Sequence, residues 1–133
     1  MKFSLYKIIR FLIALVWVIN GIYAKFFGMV PRHEEIVAKI LQTQNANIII
    51  LIIGILEVMM AIWIFSGRFS KVNAIFQSFI ILLMNILEFS LAPELLLWGK
   101  MNLVFAILFV ILILWNEFYL NPNAEFKKSS VRR

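Results

Sequence analysis

Residues 47–65 read N-I-I-I-L-I-I-G-I-L-E-V-M-M-A-I-W-I-F, a run that after Asn47 is apolar except for Glu57 near its middle. As a helix, about 18 such residues rise roughly 27 Å, close to the hydrocarbon thickness of a bilayer. A carboxylate at that depth costs about 2.5–3.5 kcal/mol on insertion scales, so one that persists has a partner or a task. The stretch predicts a transmembrane helix and makes Glu57 the residue to explain.

The rest of the chain agrees. Of its 133 residues 63% are hydrophobic and only 15% charged, where a soluble domain carries roughly 25% charge. A water-soluble domain this small could not bury so much apolar surface. The composition predicts an all-α integral membrane protein with one domain over residues 1–120. There is no cysteine and a single histidine. Thiol chemistry, iron–sulfur ligation and thiolate metal sites are therefore excluded within the chain, as is a bis-histidine haem. No nucleophile–base set, metal cluster or phosphate loop occurs, so no catalytic or metal residue is assigned and no cofactor is identified.

Outward from Glu57, three further apolar runs predict spans at 8–28, 72–91 and 101–119. The first begins among Lys2, Lys7 and Arg10 and is too long for a signal peptide. Bulky Ile22 also stands at −3 to the best cleavage candidate, Ala24. Ala14, Gly21, Ala24 and Gly28 give this helix a small face suited to close packing. The loop M-V-P-R-H-E-E-I-V-A-K-I-L-Q carries its own helix signal. Pro31 suits a first turn, Glu34 and Glu35 suit the positive dipole end, and Ile36, Val37, Ile40 and Leu41 form an apolar stripe. This predicts a short amphipathic helix lying on the outer surface or capping the bundle. S-G-R-F-S-K (66–71) reads as a tight turn, and Pro93 limits the third span. On that span Ala74, Gln77, Ser78, Ile81, Asn85, Glu88 and Ala92 share one stripe. The basic tail, 121–133, reads as disordered.

Nine of the thirteen Lys and Arg fall before the first span, between the second and third, and in the tail. The positive-inside rule places those segments, and both termini, in the cytoplasm. It also accounts for the net charge of +6, so no nucleic-acid partner is inferred; the lipid bilayer is the partner. Tyr6, Trp63, Trp115 and Tyr119 are expected at the inner interface, Tyr23 and Trp98 at the outer.

With depths fixed this way, Asn20, Lys25, Asn85 and Glu88 gather with Glu57 in the outer half, and the inner half has little beyond Gln77 and Ser78. Gly54, Glu57 and Ala61 share a face, so the glutamate looks into the packed interior. The reading is an outward-opening polar pocket with Glu57 at its floor, Asn20, Lys25, Asn85 and Glu88 as candidate ligand contacts, and the Pro31–Leu41 helix as lid, with His33 and Glu34 as lid groups. The plainer alternatives stand beside it. Buried Glu and Asn can simply link helices, Lys25 can pair with Glu57 or Glu88 although snorkelling to the interface is cheaper for a lysine so near the helix end, His33 can be a solvated loop residue, and Trp17 can be core filler rather than a stacking platform. G-I-L-E-V-M-M-A (54–61) and N-I-L-E-F-S-L-A (85–92) echo each other, by duplication or by coincidence.

Several stretches in order, R-F-L-I-A-L-V-W-V-I-N-G-I-Y-A-K, M-V-P-R-H-E-E-I-V-A-K-I-L, I-G-I-L-E-V-M-M-A-I-W and A-P-E-L-L-L, resemble DoxX-like membrane proteins. The resemblance implies a four-helix protein of the bacterial inner membrane. The wider group is linked by name to a quinone-reactive membrane subunit of thiosulfate oxidation, so quinone is a candidate ligand. It supplies no catalytic residues. Three functions follow: an accessory subunit binding a quinone or lipid-like ligand beside a membrane or peripheral oxidoreductase, a proton-coupled small-molecule transporter, or a purely structural membrane partner. The small faces at Gly21 and Gly54 would also permit a homodimer.

Overall fold

The computed structural model describes residues 2–26, 31–96 and 99–122. Gly28, Trp98 and the tail beyond residue 122 lie outside them. Among the described residues there is no strand, and four helices are long and apolar enough to cross a membrane: Ser4–Tyr23, Ala46–Ser66, Ser70–Leu91 and Met101–Leu120. The expected all-α four-helix membrane bundle is what forms. On its outside, side chains such as Ile8, Leu56, Phe79 and Ile111 are exposed. That is the pattern of helices whose backbones are satisfied internally and whose side chains meet lipid.

Helix α1 covers Lys2–Val18 and runs on as a π-helical segment, Ile19–Phe26. It begins earlier than residue 8, and Tyr6 is buried within the bundle. Helix α2 is Pro31–Leu41, with the predicted bounds. Helix α3 is Ala46–Ser66 and ends on Gly67, whose φ of 68° is the left-handed conformation that glycine accepts without a Cβ penalty. Its amide donates to the Ile64 carbonyl at 3.3 Å, closing the helix. Helix α4, Ser70–Leu91, stops just before the 3₁₀ turn Pro93–Leu95. Helix α5, Met101–Trp115, also passes into a π-helical segment, Asn116–Leu120.

The packing joins these helices in pairs. Helix α1 and its π extension lie along α3, while α4 lies along α5. The α1–α3 approach is close because it is built from small residues. Gly21 is buried, and a Cβ there would stand 2.6 Å from the Gly54 carbonyl oxygen and 2.9 Å from Val58 Cγ2. Ala14 and Ala61, fully buried, continue the seam. The pairs meet at the end where the described residues begin and stop, at 2 and 122. There Ile13, Ala14 and Trp17 of α1 pack with Met60, Ala61 and Ile64 of α3, Ala74 of α4 and Ile113 of α5.

Towards the opposite end the pairs are less closely joined, and α3 touches α4 little despite the short turn between them. Helix α2 bridges that end. Its Ile36 is buried against Ala92 and Leu96, with Ile40, Phe89 and Leu95 around them, and Lys39 pairs with Glu94 across the surface. Of the two positions expected for this helix, the structure therefore takes the cap. The apolar stripe finds its partners at the end of α4, though Leu41 remains exposed.

Candidate ligand-binding cavity

Between the two helix pairs, on the α2 side of the core, lies a cavity of about 390 Å³. All the polar groups expected to meet near Glu57 line it: Asn20, Lys25, Glu57, Asn85 and Glu88, with Asn102 and His33 added. Glu57 is buried, as Gly54 and Ala61 on the same face of α3 require. Its Oε2 stands 2.9 Å from Lys25 Nζ, an ion-pair distance at which the two groups are not aligned as a hydrogen bond. Lys25 is itself 9% exposed. It does not snorkel. Gly21, one turn earlier, draws the helix onto α3, so the lysine stem runs beside Glu57 and its ammonium finds a carboxylate before it finds water.

The remaining members differ in their freedom. Asn85 Nδ2 donates to the Ile81 carbonyl at 2.8 Å and is partly occupied within its own helix. Glu88 is half-buried and has no ion-pair or hydrogen-bond partner among the described residues. Asn20 lines the cavity yet remains exposed. The lid expectation divides. His33, on α2, faces the cavity rather than solvent, and its Nδ1 is buried with no hydrogen-bond partner. Burial first, then the nearby Lys25 and Arg32 charges, lower its pKa to about 4, so the ring is neutral at ordinary pH. Glu34, its neighbour, is exposed and takes no part in the wall, because successive helical residues point some 100° apart.

An apolar groove of about 570 Å³ adjoins the cavity where α3 and α4 stand apart. Ile53, Leu56, Met59, Met60, Phe76 and Met84 form its walls. Trp17, Glu57, Ile80 and Met84 belong to both spaces. The floor between them and the far end is closed. Trp17 Nε1 donates to Gln77 Oε1 at 2.9 Å, Gln77 Nε2 to Asn73 Oδ1 at 2.5 Å, and Asn73 Nδ2 reaches Met60 Sδ at 3.4 Å. Trp17 is thus core and cavity wall at once.

Below that floor lies a second polar cluster where little beyond Gln77 and Ser78 was expected. Glu117, 5% exposed, accepts from Tyr6 Oη at 2.9 Å, Ser70 Oγ at 2.6 Å and Asn121 Nδ2 at 2.8 Å. Asn116 Nδ2 donates to the Tyr6 carbonyl at 3.3 Å. Its Oδ1 is buried without a partner, beside a void of about 20 Å³ that Arg10, Asn73 and Gln77 also line. That is room for one water. Each polar cluster stands on a π-helical segment, the first at Ile19–Phe26 and the second at Asn116–Leu120. Such wide turns are rare and gather at functional sites. The missed residues had one visible signal, the pair Asn116–Glu117 at the end of an otherwise featureless apolar run.

Four spanning helices around a partly open polar cavity define a small helical-bundle membrane protein. The chain belongs to the DoxX-like family, whose family model matches residues 14–115. That match takes in every residue lining the cavity and its groove, and leaves Tyr6, Asn116 and Glu117 outside. No curated protein and no solved structure matches the chain.

Proposed function

We propose that the protein is a membrane-embedded binding subunit for an amphiphilic ligand of the quinone or lipid-like kind. One observation carries this reading: a polar cavity and an apolar groove share Trp17, Glu57, Ile80 and Met84. A head group placed by Glu57 would leave its chain lying between α3 and α4, where lipid has access. Ligand sites of several hundred Å³ with apolar walls and a few polar groups are the common form.

Service to a membrane or peripheral oxidoreductase of the bacterial inner membrane is the part of the proposal that rests on family resemblance. The distribution of Lys and Arg supports an orientation with both termini in the cytoplasm and the cavity towards the outer side. A homodimer would need a surface other than the small faces at Gly21 and Gly54, which pack on each other within the chain. The floor favours binding over proton-coupled transport. Trp17, Gln77 and Asn73 form an ordered chain with no side chain that titrates near neutral pH, so these three residues supply no acid–base step between Glu57 and Glu117.

The test is a thermal-unfolding screen of the full chain in neutral detergent against quinones and lipids, with Met84→Trp as the control that fills the shared mouth. The reading expects at least one amphiphile to stabilise the native sequence and to lose that effect in the variant. Stabilisation that is equal in both proteins would refute it.

A further inference from the structure

We propose that the cavity takes a primary ammonium head group carried on an apolar chain. The inference rests on the amphiphile reading above and narrows it. Three observations select this chemistry.

The first is a count of charge. The cavity holds two carboxyl groups, Glu57 and Glu88, against a single ammonium, Lys25, which is already committed to Glu57 at 2.9 Å. His33 does not make up the difference, because it is held neutral. With both carboxyls ionised, one negative charge is left for a guest to balance.

The second is a count of open acceptors. Glu88 lacks an ion-pair or hydrogen-bond partner among the described residues, and His33 Nδ1 is buried without one. A primary ammonium brings three donors on one small centre. A quinone carbonyl brings none, and a head group whose only charge is a phosphate or carboxylate would face Glu88 with like charge.

The third is shape. The shared residues Trp17, Glu57, Ile80 and Met84 join the polar space to a groove whose walls include three methionines, Met59, Met60 and Met84. Unbranched thioether side chains adapt to a flexible alkyl chain. The head would then rest between Glu88 and Glu57 and the tail between α3 and α4.

The experiment uses the full chain in a neutral maltoside detergent, with dodecylamine and 1-dodecanol as probes of equal chain length. Dodecylamine is expected to raise the melting temperature well above the effect of dodecanol and to bind roughly tenfold tighter, the difference made by one charge-assisted contact. Glu88→Gln should erase that preference and Glu88→Asp should keep it. Because Glu88 makes no ion pair or hydrogen bond among the described residues, both variants should melt near the native value without ligand. Equal binding of amine and alcohol, or an amine preference that survives Glu88→Gln, would overturn the inference while leaving the amphiphile reading intact. Failure of both probes to bind would overturn the inference, and the amphiphile reading would fall with it only if the quinone and lipid screen also found no stabilising ligand. A second arm separates sources: native mass spectrometry of protein taken from mixed phosphatidylethanolamine and phosphatidylglycerol vesicles. Selective retention of phosphatidylethanolamine identifies a lipid head. An even split beside tight dodecylamine binding identifies a free amine.

Discussion

Tyr6 and Glu117, 111 residues apart in the chain, share a buried hydrogen bond of 2.9 Å that ties the start of the first span to the end of the last. Ser70 and Asn121 complete the carboxylate's shell, so three elements are held at one point. The bundle closes here, and the divergence of the helix pairs beyond it creates the cavity.

Tyr6→Phe removes one donor and leaves Glu117 with two. A hydrogen bond to a charged group contributes about 1.5–3 kcal/mol, and that is the expected loss. Glu117→Ala removes the acceptor shared by Tyr6, Ser70 and Asn121 and should cost more. Reversible unfolding in mixed micelles measures both. A double-mutant cycle with Glu117→Gln should return a coupling energy for the pair, and its absence would mean that the hydrogen bond does not hold the two ends.

Gly21 offers a contrast with Gly99. A Cβ on Gly21 would press within 2.6 Å of the Gly54 carbonyl, against backbone that cannot rotate away. Gly21→Ala should therefore push α1 from α3 and cost about 1–3 kcal/mol. Gly99 has open space around it but a φ of 54°, so Gly99→Ala should cost about 1 kcal/mol through backbone strain alone. Only the first should also disturb ligand binding, since Lys25 and Glu57 flank the same seam. Equal effects on binding would place the two glycines in the same class.

Much of this architecture was legible in the residues. Length and apolarity placed the four spans, the Pro31–Leu41 pattern placed α2, and the face shared by Gly54, Glu57 and Ala61 aimed the carboxylate inward. Asn20, Lys25, Asn85 and Glu88 reached one cavity because depth along each helix can be counted from sequence. The terminal cluster was harder to see. Its members come from residues 6, 70, 73, 116, 117 and 121, and only packing of the chain's two ends brings Tyr6 to Glu117. Nothing in the residues marks a wide helical turn, so the π-helical segments under both clusters were invisible. Snorkelling of Lys25 failed as an expectation for a related reason. Depth was known, but the closeness of α1 to α3 at Gly21 was not.

The Lys25–Glu57 pair makes a prediction with an unusual sign pattern. Removing one partner from a buried ion pair leaves an uncompensated charge, at a cost of about 3–5 kcal/mol, while replacing both can be nearly neutral. Lys25→Met and Glu57→Gln should each be markedly destabilising. The double variant should recover most of the loss. Thermal unfolding of the four proteins decides it. A double variant as weak as the sum of the singles would show that the two residues act independently.

The His33 ring gives the pH dependence. Its pKa falls from 6.5 to about 4 in the folded chain, through burial and the charges of Lys25 and Arg32. Between those two values the unfolded chain binds a proton that the folded chain refuses, so stability falls as pH drops from about 6.5 towards 4 and levels off below. The shift corresponds to roughly 3 kcal/mol at full value, and about 1–2 kcal/mol remains after allowing for the part of the ring that meets water. His33→Gln, neutral at every pH, should remove that slope while leaving stability at pH 7.5 little changed. Melting temperatures of the two proteins from pH 7.5 to pH 4 test this directly, and parallel curves would place His33 in solvent after all. Protonating His33 would also bring a second cation to the cavity wall, beside Lys25, and so weaken an ammonium ligand. Dodecylamine affinity should therefore fall more steeply with acid in the native sequence than in His33→Gln.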